Sequence, residues 1–101
     1  MKQRKSNSYN TSPAYETIQD VDYEDELDLL VLLSSLDSDH GRIGLYDNQT
    51  GICIKETFIK DWDQDSCHSI MMEQNVILHI IKSPSGMFSA HLYRLKTKGE
   101  M

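Results

Sequence analysis

Cysteine is scarce in this sequence, with only Cys53 and Cys67 among 101 residues. Two thiols cannot staple a small fold at several points, and they suit a reducing compartment in which both stay free. Long apolar runs are missing as well. The longest, Leu29 to Leu33, falls far short of the roughly 18 residues a membrane-crossing helix needs. The start, Met1-Lys2-Gln3-Arg4-Lys5, has the charge of a signal-peptide leader, but Ser6 to Ser12 is polar where an apolar stretch would have to follow. These absences predict a cytoplasmic protein with no membrane partner.

Positive charge is in short supply. Lysine and arginine number 10 against 16 aspartates and glutamates, for a net charge of −6. The deficit is concentrated: residues 6–75 hold 15 acids against Arg42, Lys55 and Lys60, a local charge of −12. Residues 1–5 and residues 76–101 each carry +3. A field of that sign repels phosphate backbones, so direct nucleic-acid binding is not expected. It favours a basic protein surface, including that of a protein which itself handles nucleic acid.

The length fits one domain, and a folded unit of roughly 75 residues buries only about 60% of the surface its unfolded chain exposes. So thin a core leaves little room for a deep active site, and no enzymatic activity is expected. Residues 1–22 read as a flexible polar and acidic tail, residues 23–96 as a single domain, and residues 97–101 as a frayed basic end.

Between Asp22 and Leu36 the expected element is a helix. Asp22 can cap it, Asp25 suits the positive end of its dipole, and Tyr23, Leu27, Leu30 and Leu33 recur at helical spacing. Leu27, Leu29, Val31 and Leu33 also alternate, which is the competing strand pattern. Two hairpins follow. Arg42–Asp47 and Ile52–Ile59 flank the turn residues Asn48-Gln49-Thr50-Gly51, and Leu45 is expected to face Ile54 while Lys55 and Thr57 lie on a wetter side. Val76–Lys82 and Met87–Leu95 flank Ser83-Pro84-Ser85-Gly86. Pairing Lys82 with Met87 would set His79 against Ala90 and place His79 and His91 on opposite faces. Ser66 to Gln74 could form a second short helix. The predicted fold is α+β: a small antiparallel sheet of about four strands packed with one or two helices.

Alternating carboxylates at Asp61, Asp63 and Asp65, followed by Glu73, suggest a hard cation, calcium or the magnesium of a metal-dependent enzyme. The EF-hand pattern fails at Ser66 and Met72, where glycine and glutamate belong. Cys67-His68 adjoin, but neighbours in sequence rarely form an activating hydrogen bond. No metal or other cofactor is therefore expected. The residues expected to meet a partner are Asp20, Asp22, Glu24, Asp25, Glu26 and Asp28, a run without a base, together with Trp62, which is either a lid on the core or an exposed interface anchor. The resulting expectation is a small acidic non-enzymatic protein that binds and can inhibit a basic partner, of the general type of phage or mobile-element inhibitors and bacterial immunity proteins. The alternatives are a metal-dependent or calcium-binding protein centred on Asp61, Asp63 and Asp65, and a structural subunit of a homo-oligomer.

Overall fold

A computed structural model describes residues 16–95, and every regular element within them is a β-strand. The strands are β1 (Thr17–Glu24), β2 (Leu29–Ser35), β3 (Gly41–Asp47), β4 (Cys53–Ile59), β5 (Cys67–Glu73), β6 (Val76–Lys82) and β7 (Phe88–Arg94). They form two antiparallel meanders, a four-stranded sheet in the order β1-β2-β3-β4 and a three-stranded sheet in the order β5-β6-β7. The expected α+β fold is thus overturned: the described chain is all-β.

The helix expected over 22–36 is the end of β1, a tight turn and β2. Acids cluster there because they serve the turn. The Glu24 carboxylate accepts the Leu27 N–H at 2.7 Å, and Asp28 takes a left-handed φ of 58°, which Asp tolerates better than most residues. The alternation of Leu29, Val31 and Leu33 is the pattern that decides the fold, since all three face the core and the last two are fully buried. Burying each is worth roughly 1.5–3 kcal/mol. Leu30 and Leu32 lie half-buried on the opposite face of the sheet. Of the expected flexible tail, residues 1–15 lie outside the described residues, whereas Thr17 to Asp22 belong to β1. The basic end 97–101 also lies outside them.

The second expected helix, Ser66 to Gln74, is strand β5. His68, Ile70 and Met72 are buried and Cys67, Ser69, Met71 and Glu73 exposed, a period of two that no helix can produce. Gln74 then makes the tight link to β6 with a left-handed φ of 55°.

Both expected hairpins form, each in a different register. In β3–β4 the pair Tyr46–Cys53 agrees with the expected turn, but Ile54 bulges out and shifts the ladder by one. Leu45 therefore opposes Lys55 and Ile43 opposes Thr57, so Lys55 and Thr57 share the core-side face. In β6–β7 the loop is three residues, Pro84-Ser85-Gly86, closed by Ser83 N–H to the Met87 carbonyl at 2.8 Å. Gly86, at φ 93°, supplies the left-handed position such a loop requires. Lys82 accordingly pairs with Phe88, and His79 faces His91. The two histidines share a face, contrary to expectation.

The inner faces meet in one core of Leu29, Val31, Leu33, Ile43, Leu45, Trp62, Ile70, Met72 and Ile77. Trp62 closes one end of it. A methyl group at Gly41 would come within 2.3 Å of the Trp62 ring, closer than any side chain tolerates, so Gly41 is what lets the indole lie down on the sheet. Gly41→Ala should cost about 1–3 kcal/mol by overpacking, visible as a lowered urea midpoint with Trp62 fluorescence shifted towards the exposed value.

Candidate functional site

The acids expected to face a partner are mostly occupied within the fold. Strand β5 is an edge strand whose Ile70 and Met72 N–H groups point away from β6. Asp20 Oδ2 accepts the first and Asp22 Oδ2 the second, each at 2.9 Å. Carboxylates spaced by two on β1 thus match amides spaced by two on β5, and they join the sheets where β1 packs on β5. Glu24 is buried at the turn. Asp28 accepts from Gln49, Asn48 and the Tyr23 hydroxyl at 2.6–3.0 Å. These bonds, Gln49's first, hold its carboxyl below the ordinary range. Only Asp25 and Glu26 of the expected set stand fully in solvent.

Trp62, at 5% exposure, is a core lid and presents no anchor. Its ring stacks on His68 at 3.6 Å between centroids, and His68 in turn stands 5.2 Å from His79, which neighbours His91 at 5.9 Å. The hydrogen bonds along this row fix the ring protons. His68 Nε2–H donates to the Asp63 carbonyl at 2.6 Å, so His68 Nδ1 must accept, and His79 Nε2–H donates to it at 3.0 Å. That leaves the His79 Nδ1 lone pair buried and, among the described residues, without a partner. Nothing in the sequence pattern pointed to this row, because the assumed register set His79 and His91 on opposite faces.

The Asp61, Asp63 and Asp65 loop is organised as a turn. Asp63 Oδ1 accepts the Asp65 N–H at 3.0 Å and Oδ2 the Ser66 hydroxyl at 2.7 Å, and these bonds, Ser66's first, hold its carboxyl low. Among the described residues no group of three or more His, Cys, Asp or Glu side chains is arranged to hold a metal ion. Cys67 is exposed while its neighbour His68 is buried on the opposite face of β5, so the two do not form a thiol–imidazole pair. The acids that remain in solvent divide among three places, of which the end of β5 holds Glu73 alone. Asp25 and Glu26 sit at the β1–β2 turn. Asp37, Asp39, Asp61 and Asp65 lie in the β2–β3 and β4–β5 loops, which meet through Trp62 N–H to the Asp39 carbonyl at 3.1 Å. No single acidic docking face collects them all.

On the outer face of the larger sheet, Arg42 is gripped by Glu56 at 2.6 Å and Glu16 at 3.2 Å. On the inner side, away from β1 and β5, the sheets part into a cleft of about 320 Å³ lined by residues of β3, β4, β6 and β7. Strands β4 and β7 end their sheets there, and both are largely exposed on either face.

A family model described as DDB1- and CUL4-associated factor 17 matches residues 1–95. The chain belongs to the DDB1- and CUL4-associated factor 17 family. It is 32% identical over 97 residues to the protein of that name from Danio rerio, covering 92% of this chain and 18% of the relative. To the Homo sapiens protein it is 31% identical over 93 residues, covering 88% of this chain and 18% of the relative. The Mus musculus protein is 32% identical over 87 residues, covering 82% and 17%. The chain thus spans less than a fifth of the length of these relatives. No solved structure matches it. Membership in the DDB1- and CUL4-associated factor 17 family overturns the expectation of a phage or mobile-element inhibitor or an immunity protein. That expectation rested on size and acidity, and the structure shows how much of the acidity is spent inside the fold.

Burial of His79, reinforced by His68 and His91, lowers its pKa to about 4. Unfolded, the ring takes its proton near 6.5. Between those values the unfolded chain binds the extra proton, so stability falls as pH falls from 6.5 towards 4, by about 3 kcal/mol in all. His79→Gln, which keeps a donor for His68 but does not titrate, should flatten that part of the curve; urea midpoints measured from pH 7 to 4.5 on both proteins compare them.

Proposed function

We propose that the chain is a non-enzymatic protein-binding module, and that it contributes to the association with DDB1 and CUL4 for which its family is named. The observation that carries this reading is the family match across residues 1–95. The fold supports it, because two sheets joined along β1 and β5 leave β4 and β7 open on the other side, surfaces suited to contact with other protein. The two exposed thiols, Cys53 and Cys67, support work in a reducing compartment, and we place it in the cytoplasm.

The finer reading of a basic partner surface has its support at one end of the molecule. There the loops carrying Asp37, Asp39, Asp61 and Asp65 meet, with Lys60 and His40 as nearby bases, and His40 is taken by Asp37 at 2.8 Å. The net charge of −6 also argues against direct nucleic-acid binding.

Purified chain presented to purified DDB1 and to CUL4, separately and together, tests the reading by biolayer interferometry. Saturable binding to either, with a Kd on the order of 10 µM or tighter, is expected. If the acidic end makes the contact, Asp37→Asn with Asp39→Asn and Asp61→Asn should slow association and reduce its dependence on salt. Absence of binding to DDB1, to CUL4 and to the pair would overturn the proposal.

A further inference from the structure

We propose that the outer face of the β5-β6-β7 sheet is a self-association surface, on which a second copy of this chain packs face to face about a two-fold axis running along β6. This goes beyond the family association, since the surface is turned away from the core and the partner is the chain itself.

The first support is apolar area left bare. The ladders run without a bulge from β5 through β6 to β7, so residues paired directly across them share a side. On the side away from the core, Met71, Leu92 and Phe88 are 50%, 67% and 69% exposed. Val76, Leu78 and Ile80 run between them on β6 and are half-buried. A hollow of about 350 Å³ lies over Leu78, between Met71 and Leu92. Soluble proteins seldom leave so continuous an apolar face without a partner.

The second support is the placement of charge, and it selects the occupant. Glu73 on β5, Val76 on β6 and Arg94 on β7 form one row across this face, with the acid at one margin and the base at the other. Among the described residues neither Glu73 nor Arg94 makes an ion pair. A two-fold axis along β6 lays β5 of one copy over β7 of the other, at the same level along the strands. Each Glu73 then meets the Arg94 of the other copy, twice over. The same rotation sets Met71 over Leu92, and Leu78 and Ile80 over their own counterparts. An axis across the strands would instead bring Glu73 over Cys67 and Arg94 over Phe88, leaving both charges unmatched. The face is therefore complementary to itself in one orientation, with the strands of the two copies aligned as in a sandwich.

Lys82 is the one like-charge pair that this axis creates. Its ammonium leans over the Phe88 ring of its own chain, 5.6 Å from the centroid, on the β7 side. The two Lys82 side chains thus lean to opposite sides of the axis. The outer face of the larger sheet gives no such signal, because its Arg42, Glu16 and Glu56 are already paired with one another.

Size sets the strength. Three strands of seven residues cover roughly 14 by 23 Å, less than the roughly 800 Å² per partner of a standard interface. The association is weak, with a Kd of roughly 10–100 µM.

Sedimentation equilibrium on the full chain tests this. Glu73→Arg and Arg94→Glu, each alone, should weaken the dimer at least about tenfold by setting like charges opposite each other. Mixed in equal amounts, the two variants should regain the parent's association as a heterodimer, since every pair across the axis is again opposite in charge. Met71→Lys should also dissociate the dimer, although it lies two strands away from the free edge of β7. Thermal unfolding of each variant is compared with the parent's. A parent chain that stays monomeric up to roughly 300 µM overturns the proposal. So does a dimer that withstands the charge reversals and Met71→Lys, which would place the contact at the β7 edge or elsewhere, or a mixture of variants that fails to associate. Binding to DDB1 or CUL4 is measured separately, and neither result decides the other.

Discussion

Two carboxylates hold this molecule together as a pair of sheets. An edge strand normally offers its outward N–H groups to water or to another strand. Here Asp20 and Asp22 receive the outward amides of Ile70 and Met72, so β1 acts towards β5 as a side-chain substitute for a pairing strand. Hydrogen bonds to a charged acceptor are worth roughly 1.5–3 kcal/mol each. The pair fixes where β5 lies against β1, and thereby where Ile70 and Met72 enter the core beside Leu29, Val31 and Leu33. It also blocks the β5 edge against foreign strands. The opening on the far side, between β4 and β7, follows from the sheets being clasped at one margin only.

Some of this was legible in the residues. The turns Asn48–Gly51 and Pro84–Gly86 announced hairpins because glycine at a left-handed position is a local requirement, and Trp62 as a core lid was one of two readings weighed. The run from Glu16 to Asp28 misled because acid density is ambiguous. The same residues can favour a helix start, a solvated tail, or carboxylates at a spacing of two aimed at amides 50 positions away. The last depends on a contact that no local pattern encodes. Likewise the bulge at Ile54 and the three-residue loop at Pro84 each moved a ladder by one residue, which is enough to exchange the faces of Lys55, Thr57 and His91. The histidine row and the cleft both rest on those registers, so neither could be found before them.

The functional picture changes with the charge accounting. A surplus of acids looked like a single surface seeking a basic partner, yet Asp20, Asp22, Glu24, Asp28 and Asp63 have structural work. The acids left over stand apart, at the β1–β2 turn, at the end of β5 and at one loop end. The open surface with an apolar floor carries Lys55 on its β4 wall.

Amide hydrogen exchange at Ile70 and Met72 tests the central claim most directly. Both amides should be strongly protected in the native chain, unlike those of an ordinary edge strand. In Asp20→Ala with Asp22→Ala they should exchange at least about tenfold faster while Val31 and Leu33 in β2 stay protected. Equal exchange at Ile70 and Met72 in the native and doubly substituted proteins would contradict the account.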